Sequence, residues 1–182
     1  CAQLKSAFAK ELQKVRQLGL GVSSGVEIAY RTVELAIDNM ELAADGDVDK
    51  LPVTLAYDLK SAYNNVKRAQ MFAQAQKRFP TMLRFLNLVY GQAGTLYFTS
   101  NGHINDYFFC TEGVLQGCPL GLHGLCLALW DFLDELSEVI NRNDASGVWI
   151  ADDLTIVVTR DRAEHIIRTC QVELPQYGME TS

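Results

Sequence analysis

Apolar residues recur on one helical face at Leu4, Phe8, Leu12 and Val15, and again at Val26, Tyr30, Val33, Ile37 and Met40, with Gly19 and Gly21 interrupting between the runs. Spacing of three and four residues predicts two amphipathic helices. ADGDVDK at residues 44 to 50 is a polar turn, and Pro52 leads into VTLAYDL, whose alternation and β-branched residues predict a strand ending at Asp58. Helical periodicity returns over residues 64 to 78, and Pro80 opens another helix through Tyr90, since its fixed φ suits a first turn. TLYFTS, Asn101-Gly102 and HINDYFF predict a hairpin, because Asn-Gly tolerates the positive φ of a type I′ turn. Residues 119 to 141 read as one long, largely buried helix. VWIA and LTIVVT form a second hairpin with Asp152 and Asp153 both at its bend, and residues 161 to 173 return to helix. Helices and strands interleave irregularly, without repeat or linker, which predicts a mixed α/β (α+β) layer structure.

At 182 residues and 48% apolar content the chain can bury one good core. It opens at Cys1 without an initiator Met and stops at Ser182 just past a helix, so it is expected to be part of something longer. Five cysteines (Cys1, Cys110, Cys118, Cys126 and Cys170) are scattered without CxxC spacing, and the three histidines do not join them at zinc-ligand intervals. Reduced thiols in an intracellular, non-secreted protein fit that usage. No stretch approaches the roughly 20 apolar residues that span a bilayer, and no signal-peptide pattern opens the chain, so no membrane partner is expected.

The net charge of −6 runs against nucleic-acid binding until its distribution is considered. Residues 1 to 100 balance at +3 and residues 101 to 182 at −9. Between Asp58 and Asp106 no acid occurs, yet Lys60, Lys67, Arg68, Lys77, Arg78 and Arg84 do. Such a strip can steer a phosphate backbone, and it can equally be a solvated helix face.

Three short runs carry candidate chemistry: DLKSAYN from Asp58, GVLQGCPLG at residues 113 to 121, and IADD ending at Asp152 and Asp153. Joining a nucleotide to a primer hydroxyl calls for two divalent cations, one activating the hydroxyl and one neutralising the leaving pyrophosphate, and clustered aspartates hold such pairs. Asp58 at a strand end and Asp152 at a bend can meet only if their strands share a sheet. Neighbouring side chains on a strand point opposite ways, which ranks Asp153 behind Asp152 as a ligand. Adjacent acids in a turn are, taken alone, most often just solvated. Gln116-Gly117 lies on a loop before a helix, where glycine lets a base pair come close.

In family order, these runs resemble the catalytic motifs of reverse transcriptases, and within them the polymerases of non-LTR retrotransposons. QLGLGVSSGVEIA, from Gln17, is similar to the segment joining fingers to palm. The resemblance implies a palm-type antiparallel sheet packed on helices with a partial helical fingers segment, residues 1 to 50 leading from fingers to palm and 51 to 182 forming the palm. It implies that upstream fingers and a downstream thumb lie outside this chain and that residues 1 to 182 alone are inactive. Asp58, Asp152 and Asp153 become the catalytic ligands of two Mg²⁺ ions, with Mn²⁺ as the substitute. Tyr63, Gln116 and Gly117 become the dNTP pocket, with the Tyr63 ring excluding a 2′-hydroxyl, while Lys60, Lys67 and Arg68 are candidate nucleic-acid contacts. Ile150 stands where the family usually has an aromatic, and Asn64 where an Asp is common.

The implied function is RNA-templated DNA synthesis by a retrotransposon polymerase, with an RNA template, a DNA primer or target and dNTPs as partners, in a nuclear or cytoplasmic ribonucleoprotein. Another palm enzyme, an RNA-dependent RNA polymerase or a nucleotide cyclase, is disfavoured by Tyr63 and the Gln-Gly run. A decayed, RNA-binding scaffold is disfavoured because three mutually repelling carboxylates have no chemical reason to persist together.

Overall fold

A computed structural model describes residues 2 to 180, with side chains described from Ser6 onward; Cys1, the Leu4 side chain and the last two residues of QYGMETS lie outside the described residues. The chain divides into two compact units, Cys1–Lys60 with Trp130–Ser182, and Ser61–Leu129.

The first unit is built on a three-stranded antiparallel sheet in the order β1 (Pro52–Asp58), β5 (Asp153–Thr159), β4 (Ser146–Ile150). β5 is the central strand, and Leu154, Ile156, Val157 and Val158 are all buried on it, as expected of a strand covered on both faces. Helices α2 (Gly25–Ala44), α7 (Trp130–Arg142) and α8 (Arg160–Glu173) pack on the sheet. α1 (Ala2–Lys14) buries Phe8 and Leu12, and Phe8 meets Trp130 edge to face at 5.7 Å. Phe132 and Trp149 make the same kind of contact at 5.9 Å. Interlocked aromatics of this kind bury 150 to 250 Å² each, by order of magnitude, and dominate a core of roughly this size. Residues 16 to 18 run beside β4: Trp149 N–H donates to Arg16 O at 2.9 Å, and Leu18 N–H donates to Trp149 O at 2.8 Å.

The second unit packs α4 (Arg68–Arg78) against α6 (Gly121–Ala128), with α3 (Ala62–Asn65) and α5 (Leu83–Tyr90) beside them. Its hairpin of β2 (Gly94–Ser100) and β3 (His103–Cys110) turns at Asn101 and Gly102, with φ of 52° and 77°, the two positive values that a type I′ turn requires. Both hairpin faces are apolar and exposed: Tyr97, Tyr107 and Phe109 cluster together, and Phe98 lies tilted against Phe108 at 5.6 Å.

Two expectations need correction. Residues 119 to 141 are not one helix: α6 ends at Ala128, Leu129 has ψ of 2°, and α7 starts at Trp130. No glycine or proline marks the break, so periodicity runs through it unnoticed. The second bend consists of Ala151 and Asp152, while Asp153 is already paired with Ile150 as the first residue of β5. Among the described residues no helix is long and apolar enough to cross a membrane, and Cys110, Cys118, Cys126 and Cys170 are free thiols. Burial pushes the Cys126 thiol up to about 12, which keeps it protonated and inert.

Candidate active site

The carboxylates belong to the first unit, and strand register brings them together. Asp58 and Asp153 are direct partners across the β1–β5 ladder. Side chains so paired leave the same face of a sheet with Cβ atoms about 5 Å apart, and like charges there repel. Asp152 is the neighbour of Asp153 at the bend. The field of this cluster is legible in Asp153, whose carboxyl is held above the ordinary aspartate range by partial burial and then by the charges of Asp152 and Asp58.

Among the described residues no three His, Cys, Asp or Glu side chains are drawn to one point in a way that would already enclose an ion. The donor set nevertheless suits a hard divalent cation, since it consists of carboxylate oxygens alone, and a cation would relieve the repulsion that raises Asp153.

The bend itself is strained. A two-residue turn with positive φ at its first central position favours glycine there, yet Ala151 occupies it at φ 56°. An L-residue in that region costs about 1–2 kcal/mol. Such strain persists only where the surroundings over-determine it. Here the buried Gln17 side chain grips Ala151: Nε2 donates to Ala151 O at 2.9 Å and Oε1 accepts from Ala151 N–H at 3.1 Å. Sequence reasoning assigned Gln17 to the fingers-to-palm segment and gave it no role. A Gln between Arg16 and Leu18 carries no local signal of a contact 134 residues away.

Tyr63, Gln116 and Gly117 lie in the second unit, where the backbone joins them. Val114 N–H donates to Tyr63 O at 2.5 Å, and Gly113 N–H donates to Val66 O at 2.9 Å, so the 113–117 loop is laced onto α3. Gly113, at φ 75°, admits this approach because a Cβ there would stand 2.3 Å from Asn64 O. Tyr63 is half-buried, while Gln116 and Gly117 are exposed. Cys118 is half-buried and hydrogen-bonds Tyr90, whose hydroxyl is pushed up to about 12 mainly by burial.

Of the three basic candidates, Lys60 and Lys67 are exposed, with the Lys60 ammonium 3.7 Å from the Glu180 carboxylate. Arg68 is a correction, since only 8% of it is exposed and its guanidinium is directed into the protein. Nε donates to Gly113 O at 2.7 Å, Nη1 donates to Gln92 O at 3.2 Å, and the group lies over the Tyr90 ring at 5.4 Å. Its backbone N–H donates to the Glu112 carboxylate at 2.9 Å. Tyr90 in turn accepts from Leu115 N–H at 3.3 Å. Arg68 therefore anchors the loop that carries Gln116 instead of meeting phosphate. Arg68→Met should lower stability in urea by about 3 kcal/mol, the scale of several buried charge-assisted hydrogen bonds. Arg68→Lys should recover little, because an ammonium cannot reproduce the planar fork. A loss below about 1 kcal/mol for Arg68→Met would mean that the fork is solvated.

The family model described as reverse transcriptase (RNA-dependent DNA polymerase) matches residues 3–182. Comparison with curated proteins by sequence finds no match. Among solved structures, the chain is similar to telomerase from Candida albicans in complex with a TWJ fragment of telomeric RNA, with TM-score 0.71 and 13% identity over 99% of this chain and 33% of that one. Apo telomerase from Candida tropicalis truncated from its C-terminal domain gives TM-score 0.69 and 14% identity over 100% of this chain and 39% of that one. The chain thus spans between a third and two fifths of the length of these solved chains, and at such identity the likeness is one of fold.

Proposed function

The chain belongs to the reverse transcriptase (RNA-dependent DNA polymerase) family, and from that membership we propose that it is the palm of an RNA-templated DNA polymerase of the non-LTR retrotransposon type, residues 1 to 50 being the passage from fingers to palm. The polymerase adds dNTPs to a primer 3′-hydroxyl under the direction of an RNA strand, within an intracellular ribonucleoprotein. The observation that carries this reading beyond family membership is the direct pairing of Asp58 with Asp153 beside the Asp152 bend.

Asp58, Asp152 and Asp153 would hold two divalent cations, Mg²⁺ or in its place Mn²⁺. Such ions, when bound, supply a lowered pKa at the attacking hydroxyl and neutralise charge on the leaving group. The protein's own part is to fix the carboxylates on paired strand ends, so that little reorganisation is left for the reacting state. Tyr63 fills the space beneath the sugar, where its ring leaves no room for a 2′-hydroxyl. Gln116 and Gly117, on a loop anchored to the Tyr63 backbone, face the nascent base pair. Lys60 and Lys67 are the remaining candidates for phosphate contact, with Arg68 reassigned to holding the loop.

The test is primer extension on an RNA template with Mg²⁺, by the complete reading frame that encodes this chain, with dNTPs compared against rNTPs. DNA synthesis directed by the template is the expected result. Preference for rNTPs would move the protein to the RNA polymerases, and tight RNA binding without synthesis of either kind would leave a scaffold.

A further inference from the structure

Gln17 is a polar side chain only 1% exposed, and every other buried side chain described in its unit is apolar. Its amide meets both backbone groups of one residue, Ala151, and Oε1 also accepts from Gly19 N–H at 2.9 Å. One donor and one acceptor are needed at Ala151, so neither a carboxylate nor an apolar side chain of the same length can satisfy both. A second feature points the same way. A Cβ on Gly19 would stand 2.5 Å from Ala151 N and 2.9 Å from Gln17 Oε1, so only glycine lets residues 17 to 19 lie this close to the bend. The pairing of Arg16 and Leu18 with Trp149 sets the height at which the amide reaches across.

We propose that Gln17 is a positioning residue: its amide, with the clearance at Gly19, holds the Ala151–Asp152 bend in its left-handed conformation and thereby aims the Asp152 carboxylate at a divalent cation. The inference rests on the reading of Asp152 as a metal ligand. Ala151 at φ 56° would, once released, relax toward the right-handed or extended conformations that alanine prefers, and the covalently adjacent Asp152 would swing with it. Groups that orient a ligand without touching the ion typically change metal affinity 10- to 100-fold when removed.

The experiment is Mn²⁺ binding to the complete protein whose reading frame encodes this chain, read from the paramagnetic resonance of free Mn²⁺ well below the melting transition. It compares wild type, Gln17→Met, Asp152→Asn, Ala151→Gly and the double variant Gln17→Met with Ala151→Gly. Gln17→Met is expected to weaken binding about tenfold. The double variant should recover most of that loss, because glycine adopts the bend without a clamp. A purely structural role would lower the melting temperature without moving affinity, and so would a Gln17 that braces only the core. Should Gln17→Met fail to fold, Gln17→Glu takes its place, retaining volume and the acceptor while setting an oxygen against Ala151 O; the same tenfold loss is expected. Unchanged affinity in the folded Gln17 variant, with binding lost in Asp152→Asn, overturns the inference and leaves the metal-ligand reading standing. Wild-type affinity in Asp152→Asn overturns the metal-ligand reading, and the inference falls with it.

Discussion

Asp152→Asn, introduced into the complete reading frame, is expected to cut dNTP incorporation with Mg²⁺ by about 10³-fold while the fold is kept. The change removes a carboxylate at nearly constant volume, and losing roughly 4 kcal/mol of charge stabilisation in the reacting state corresponds to that factor. Stability should move the other way. The Asp153 carboxyl is held above its ordinary range by burial, by Asp152 and by Asp58, so its ionised form is less favourable in the folded chain than in the unfolded one. That cost is fully present above the raised folded value and is relieved as pH falls through it toward the ordinary aspartate range near 4. Taking away the Asp152 charge should raise the metal-free melting temperature at pH 7 and flatten the gain on acidification. Thermal melts at pH 7 and at about pH 4.5, beside single-nucleotide incorporation, check both halves. Wild-type incorporation, or a variant that melts lower at both pH values, would remove Asp152 from the site.

Tyr63→Ala should lower discrimination against rNTPs by about 100-fold, with a much smaller loss of dNTP incorporation. A selective wall is a repulsive device, and opening a site by a ring's volume changes relative affinity by roughly 2–3 kcal/mol for the substrate it excluded. The substitution leaves the local backbone supported, because Val114 N–H still has Tyr63 O as its acceptor and the neighbouring Ala62 stays buried. Competing dNTP and rNTP incorporation at one template position gives the ratio directly. Equal losses for the two sugars would make Tyr63 an ordinary packing aromatic at the head of α3.

The elements that were legible along the chain are those fixed by local physics. The strand was expected to end at Asp58 and does, at the C-terminal end of β1. The Asn101-Gly102 turn follows from backbone freedom at two residues, and the helix expected over residues 161 to 173 is found as α8, Arg160–Glu173. What escaped notice depends on partners far along the chain. The break at Leu129 carries no glycine or proline, and α6 and α7 fall in different packing units. The bend lies one residue earlier than expected because Asp153 finds two ladder partners, Asp58 and Ile150. Arg68 looked like one more charge in a basic strip, and only the carbonyls of Gly113 and Gln92, 45 and 24 residues away, turn it inward.

By itself, then, the sequence determined that one carboxylate ends a strand and two more fall at or beside a hairpin bend, and in what order the motifs come, because alternation, turn chemistry and motif spacing are written in adjacent residues. Tertiary structure alone decided that β5 lies between β1 and β4, setting Asp153 opposite Asp58. It also decided that a buried amide at Gln17 holds Ala151 in a conformation alanine disfavours. Strand pairing and burial are settled by the free energy of the whole packed unit, in which a clamp 134 residues distant outweighs the local preference of one residue.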